Sequence, residues 1–213
     1  MCNYTDPQTG KKYSQRGTGF IIAQDIVLTA LHVIYFDEAK DNKNLQNNHS
    51  KTSSKKKKLK AFADEIQFYH ESMLRGDKEV GKGLKVEKFY FNNLFLDRNC
   101  PQYFAYDFAV LKLEPNSIIK NDHILKMSFE FSLAESIGKE IMVCGYSGQR
   151  KEELYKQFYD ERIPGPDEMV ERDDGFLYYK HTTKNGNSGG PVLIKTASSE
   201  FKVVGVHKGM GWE

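Results

Sequence analysis

The residues best placed to do chemistry lie in Asn185-Gly-Asn-Ser-Gly-Gly-Pro191, directly ahead of the apolar run 192–194. A serine hydroxyl is weakly acidic. To act as a nucleophile it needs a sharp turn that exposes it, a base, and N–H groups aimed at the oxyanion that develops on the carbonyl it attacks. Glycines on both sides of Ser188 permit the turn and leave room for a substrate carbonyl. The backbone N–H groups of Gly186 and Ser188 are then the candidate oxyanion donors. Taken alone, the same stretch also fits a plain Gly-rich hairpin turn.

Gly186-Asn-Ser188-Gly-Gly190 matches the G-x-S-x-G pattern of the strand-to-helix nucleophile elbow. That arrangement requires a helix after the serine, then an acid and a histidine downstream. Here Pro191 and a β-run follow, and only Glu200 and His207 qualify, both within one apparent hairpin. The elbow is excluded, so the serine's partners must lie upstream. Two residues stand out there. His32 closes Ile26-Val-Leu-Thr-Ala-Leu-His-Val33, which follows Gly17-Thr-Gly-Phe-Ile-Ile22. Asp107 opens the alternating run Tyr106-Asp-Phe-Ala-Val-Leu-Lys-Leu113. Singly, each has an ordinary explanation: a histidine beside apolar residues is usually structural, and an aspartate at a strand entrance usually caps a turn. A metal or cofactor is not implied. The histidines (32, 49, 70, 123, 181 and 207) show no H-E-x-x-H spacing, and Cys2, Cys100 and Cys144 form no C-x-x-C pair.

The three segments together resemble the trypsin/chymotrypsin-like serine peptidases. G-T-G-F-I-I … V-L-T-A-L-H-V is similar to the segment around that family's catalytic histidine, and D-F-A-V-L-K-L to its aspartate element. G-N-S-G-G-P is similar to its nucleophile loop. The chain order His, Asp, Ser is that of chymotrypsin-type enzymes. The resemblance spans roughly 14–36 and 62–211. It implies an all-β fold of two antiparallel barrels with the cleft between them, and peptide-bond hydrolysis by a triad of His32, Asp107 and Ser188. Protein or peptide substrates are the implied partners.

Departures from the animal digestive enzymes bear on the branch. No cysteine flanks His32 or Ser188. Asn187 stands where those enzymes carry the aspartate that pairs with a newly cut amine. Thr182 stands where trypsin has its base-binding aspartate, which argues against cleavage after Lys or Arg. Thr182-Thr-Lys-Asn-Gly-Asn-Ser-Gly and Val203-Val-Gly-Val-His-Lys-Gly209 resemble the staphylococcal glutamyl endopeptidase branch. That resemblance makes Thr183 and His207 the residues that bind a substrate glutamate. Neutral hydroxyl and imidazole donors suit a carboxylate, and Lys184 or Lys208 would add positive potential.

The elements that must position these residues read as short strands. Apolar, β-branched and aromatic runs fall at 19–22, 26–29, 65–69, 85–91 and 108–113, then at 140–145, 176–181, 192–194 and 202–207. Gly, Asn, Asp and Pro separate them. Helical periodicity is weak, at 152–158 and briefly after Ala30. We expect a polar segment over 1–13, a first barrel over 14–115 and a second over 116–213. The sequence closes shortly after the pocket segment, so the second barrel is expected to lack the family's last strand and C-terminal helix.

Residues 40–60 hold eight lysines against one acid. Such a stretch buries too little apolar surface to offset its ordering entropy, and a disordered surface insertion over 37–61 is expected. The competing reading is a polyanion-binding arm acting through 51–60. It has no interleaved aromatics to stack on bases, so no nucleic acid is expected. A net charge of +2 over 213 residues indicates no anionic partner either. No apolar run approaches the roughly 18 residues of a membrane span. The polar start has no apolar signal core, which suggests a cytoplasmic chain by default and a secreted one if further sequence precedes it. A further rival to an active enzyme is a binding module that keeps the fold without activity.

Overall fold

A computed structural model describes residues 1–7, 9–37, 60–70, 73, 82–97, 99–128, 141–146, 158–163, 169–172, 176–179, 183, 185–196 and 198–209. For 158–163, 169–172 and 176–179 it describes the strand path alone. The strands are β1 (Cys2–Thr5), β2 (Lys12–Gln15), β3 (Gly19–Ala23), β4 (Ile26–Thr29), β5 (Tyr35–Asp37), β6 (Lys60–Phe62), β7 (Glu65–Phe68), β8 (Leu84–Phe91) and β9 (Ala109–Leu113). They continue with β10 (Ile141–Tyr146), β11 (Phe158–Ile163), β12 (Met169–Arg172), β13 (Phe176–Tyr179), β14 (Pro191–Lys195) and β15 (Phe201–Val206). A short helix, α1 (Leu31–Ile34), follows β4. The fold is all-β, as the sequence suggests.

A seven-stranded antiparallel sheet runs β2-β1-β7-β8-β9-β4-β3, and a four-stranded one runs β11-β10-β14-β15. The β12-β13 and β5-β6 pairs stand apart from them. Alternation along β3 and β4 explains how the two larger sheets meet. Ile21 and Val27 point into one core with Leu111, Leu113 and Ile34. Their neighbours Phe20 and Leu28 point the other way, into a second cluster with Cys144, Leu193 and Val203. Both faces of β3 and β4 are therefore covered, and these strands read as continuous apolar runs rather than as an apolar-polar alternation. The second cluster joins the two larger sheets.

Two regions differ from the sequence expectation. The opening segment is polar on average, yet β1 sits between β2 and β7 in the larger sheet. Cys2 and Tyr4, two residues apart, are each only 1% exposed. Their period-two burial is the strand signal, and average composition hides it. The Tyr4 hydroxyl donates to the Val33 carbonyl at 2.9 Å, tying this strand to the helix that bears His32. The lysine-rich stretch lies mostly outside the described residues, and its flanks form paired strands. Residues 35–37 pair with 60–62, and Lys60 meets the buried Asp37 at 3.4 Å. The expected helix at 152–158 also lies outside the described residues, except for Phe158, which opens β11.

Candidate active site

Sheet register brings the first two residues together. β4 and β9 are antiparallel, with Thr29 opposite Ala109. The end of β4 therefore abuts the start of β9, and the residues just beyond each end, His32 and Asp107, become neighbours. Asp107 Oδ2 lies 2.8 Å from His32 Nδ1, and Asp107 Oδ1 accepts the His32 backbone N–H, also at 2.8 Å. This two-point contact fixes both the ring and the main chain. On the other side, the Gln15 side-chain amide donates to the His32 carbonyl at 3.1 Å.

Asp107 is only 7% exposed. Burial by itself pushes its carboxyl up. The His32 imidazole, two hydrogen bonds from His32 and the nearby Lys208 ammonium outweigh that, and hold the group below the usual carboxylate range. It is thus an anion facing Nδ1, which favours a protonated Nδ1 and leaves Nε2 as the basic nitrogen.

Ser188 lies in the turn before β14, and this turn is fastened to the other sheet through Thr18. The Thr18 N–H donates to the Ser188 carbonyl at 2.8 Å, and the Thr18 hydroxyl donates to the Gly186 carbonyl at 2.7 Å. That hydroxyl also accepts the Tyr146 N–H at 2.8 Å, while Thr29 Oγ1 donates to the Thr18 carbonyl at 2.6 Å. Thr18 thereby links β3, β4, β10 and the serine turn at one point.

Gly189 has φ +89°, and a side chain there would meet the Thr18 carbonyl and the Thr29 hydroxyl. Gly186 has φ +102°. Both positions require glycine for backbone reasons. Among the described residues, neither the Gly186 nor the Ser188 N–H has a hydrogen-bond acceptor. The Ser188 hydroxyl donates to the Lys208 carbonyl at 3.1 Å.

The two predicted pocket residues are placed differently. His207 directly follows β15, is 4% exposed, and is held by main-chain bonds to Gly189 and Gly190. It therefore stands beside the serine turn. Thr183 is half-buried, with 180–182 and 184 outside the described residues. Lys208 extends its ammonium over the Phe104 ring, 3.8 Å from the centroid. Among the described residues no cluster of three or more His, Cys, Asp or Glu side chains is disposed to hold a metal.

Residues 17–206 match the family model of the trypsin-like peptidase domain. The chain belongs to that family. Among solved structures, a Glu endopeptidase in complex with MPD is similar at 22% identity and a TM-score of 0.58, over 94% of this chain and 74% of that one. A thermostable serine protease, AL20, from an extremophilic microorganism is similar at 14% identity and a TM-score of 0.55, over 99% of this chain and 83% of that one. The protease Anisep from Arthrobacter nicotinovorans is similar at 15% identity and a TM-score of 0.53, over 98% and 82%. No curated protein matches the sequence. At these identities the likeness to the solved proteases is one of fold: the trypsin-like double β-barrel of serine proteases.

Several residues of this trypsin-like domain are not apparent from chemistry-bearing motifs. Thr18 lies inside the quoted G-T-G-F segment, but a threonine in a strand preference pattern gives no hint of a four-way connection. Thr29 and Gln15 are similar cases. Phe104 and Lys208 are separated by roughly a hundred positions in sequence, and only the fold makes them neighbours.

Proposed function

We propose that this trypsin-like domain is a serine endopeptidase in which Ser188 is the nucleophile, His32 the general base and Asp107 the orienting acid. The observation that carries this reading is the buried two-point contact between His32 and Asp107, at the same end of the β3-β4-β9 strands where Thr18 fastens the Ser188 turn. In the reaction, the Ser188 hydroxyl turns from the Lys208 carbonyl to His32 Nε2. Its oxygen bonds to the scissile carbonyl carbon as its proton passes to the imidazole. The resulting oxyanion is met by the Gly186 and Ser188 N–H groups, and Asp107 balances the imidazolium. Collapse breaks the C–N bond, with His32 returning the proton to the leaving amine. Water then repeats the sequence on the acyl-enzyme and releases the acid.

A fluorophosphonate probe tests this directly. Covalent labelling that maps to Ser188 and disappears in Ser188→Ala is expected, together with hydrolysis of a mixed peptide library. A folded protein that neither reacts nor hydrolyses would be a binding module with the same fold.

The reading extends to specificity. We propose the glutamyl branch, with His207 and Thr183 donating to a substrate glutamate at the scissile position. The support is the motif resemblance, the burial of a polar side chain beside the serine turn, and similarity in fold to a Glu endopeptidase. A site that hydrogen-bonds a group rejects analogues lacking it, so Glu should be cleaved well ahead of Gln, Lys or Phe. His207→Val should reduce that preference more than it slows an apolar substrate. Equal cleavage after Glu and Phe would refute the specificity while leaving the triad reading intact.

A further inference from the structure

We infer that Lys208 is a specificity-determining residue that recognises an acidic side chain on the substrate residue immediately preceding the one whose carbonyl Ser188 attacks. This rests on the endopeptidase reading above, with the scissile residue on the His207 side, but not on a preference for glutamate there.

The placement follows from strand geometry. Residues 207–209 continue β15 past the nucleophile. The Ser188 hydroxyl touches the Lys208 carbonyl at 3.1 Å, and Gly209 lies on the same side, its Cβ position 3.6 Å from that hydroxyl. When Ser188 turns to His32, the Lys208 carbonyl becomes available to a substrate N–H. A substrate in extended form then lies along 207–209 as an added strand. Side chains of an extended chain alternate between faces. The protein segment itself alternates, with His207 buried and Lys208 half-exposed. If the scissile residue points to the His207 side, the residue before it points to the Lys208 side.

What waits on that side is a fixed cation. The Lys208 ammonium is 3.8 Å from the Phe104 ring centroid, and Phe104 packs against Tyr103. The Phe104 carbonyl accepts the Asp107 N–H at 3.2 Å, so the ring stands one turn from the triad acid. An aromatic face holds an ammonium in place through its quadrupole. Its charge also reaches the Asp107 carboxylate. An acidic substrate side chain paired with this ammonium gains binding energy that salt screens, so the preference should weaken with salt.

The test fixes the scissile residue at whichever type is cleaved best and varies only the preceding one. For the wild-type chain, kcat/KM with Glu should exceed that with Gln by roughly three- to tenfold, as expected for a half-exposed ion pair. In 0.5 M salt (roughly 4 Å screening length) the ratio should fall toward one. Lys208→Met should erase the ratio, and Lys208→Glu should invert it in favour of Lys over Glu. Equal Glu and Gln rates in the wild type, or an unchanged order in Lys208→Glu, overturns the inference. Should Lys208→Glu fail to fold, the wild-type ratio and its salt dependence decide by themselves. Failure of the glutamate pocket shows up separately, in the scissile position. Absence of both hydrolysis and fluorophosphonate labelling would overturn the endopeptidase reading, and this inference with it.

Discussion

The two halves of the candidate site are held by different means. His32 and Asp107 stand at the end of the seven-stranded sheet, where the Thr29–Ala109 register sets their positions and a buried carboxylate holds His32 by its ring and by its backbone N–H. Ser188 stands on a turn whose geometry comes from two left-handed glycines and from bonds reaching across to Thr18. One half is fixed by strand pairing within a sheet, the other by a single fastening between sheets. A fault in the first half should therefore damage chemistry through charge and tautomer. A fault in the second should damage it through position.

Breaking the chemistry directly gives the largest effect. Ser188→Ala and His32→Ala should each lower kcat by roughly 10⁴–10⁶-fold, and Asp107→Asn by about 10⁴-fold. The double variant Ser188→Ala/His32→Ala should fall little below either single one, because the residues act as a unit. Peptide hydrolysis with active-site titration measures this. Near wild-type turnover in Asp107→Asn would move the orienting role elsewhere. Asp97, the nearest acid upstream in sequence, is an unpromising substitute, since it caps its own turn by accepting the Asn99 N–H at 2.9 Å.

Loosening the fastening comes next. Thr18→Val removes the hydroxyl that donates to Gly186 and accepts from Tyr146, leaving both groups short of a partner. A stability loss of about 1–3 kcal/mol is expected. Turnover should fall by roughly 10–100-fold through misplacement of the oxyanion donors. A urea melt and kcat on one peptide separate the two effects. Gly189→Ala should act on the same point with a larger stability loss, because strain and collision combine there. If Thr18→Val kept full turnover, the serine turn would be set by its own glycines and the contrast between the halves would weaken.

How much of this could be seen in the sequence follows the same division. The 26–29, 85–91 and 108–113 strands fall within a residue of their observed limits, because runs rich in β-branched, aromatic and apolar residues leave a strong local signal. His32 and Asp107 do meet, since each is only two or three residues from a paired strand end. β1 was not legible, because two buried residues among polar ones resemble a tail until their partner strands are known. Nor was the role of Thr18, since its hydrogen bonds run to residues more than a hundred positions away. The Lys208–Phe104 contact was hidden for the same reason.

The carboxylate of the first half gives a smaller, pH-dependent effect. Because Asp107 is held below the usual carboxylate range, it contributes stability that is fully present above the unfolded value and lost as pH falls through the folded one. The stability gap between wild type and Asp107→Asn should therefore narrow as pH is lowered from 6 toward 3, chiefly below about pH 4. Urea unfolding at several pH values checks it, and a constant gap would mean the carboxylate is not the source.

The smallest effect is expected where the chain is most conspicuous in composition. Replacing 41–58, the bulk of the lysine-rich stretch, by a short Gly-Ser linker should leave peptide hydrolysis within roughly twofold of wild type. The flanks are already joined, with β5 paired to β6 from Tyr35–Phe62 to Asp37–Lys60. The Lys60–Asp37 contact closes the pair at the point where the stretch begins and ends. Shortening a flexible connection changes closure entropy only by a fraction of a kcal/mol for each halving of its length. The helix bearing His32 leads directly into β5, so this short ladder stands next to the site in sequence. Hydrolysis of a small peptide, set beside the melting temperature, separates the outcomes. Lost stability with normal turnover would assign the stretch to the ladder. Lost turnover with normal stability would show that it reaches the cleft, and the first half of the site would then depend on more than sheet register.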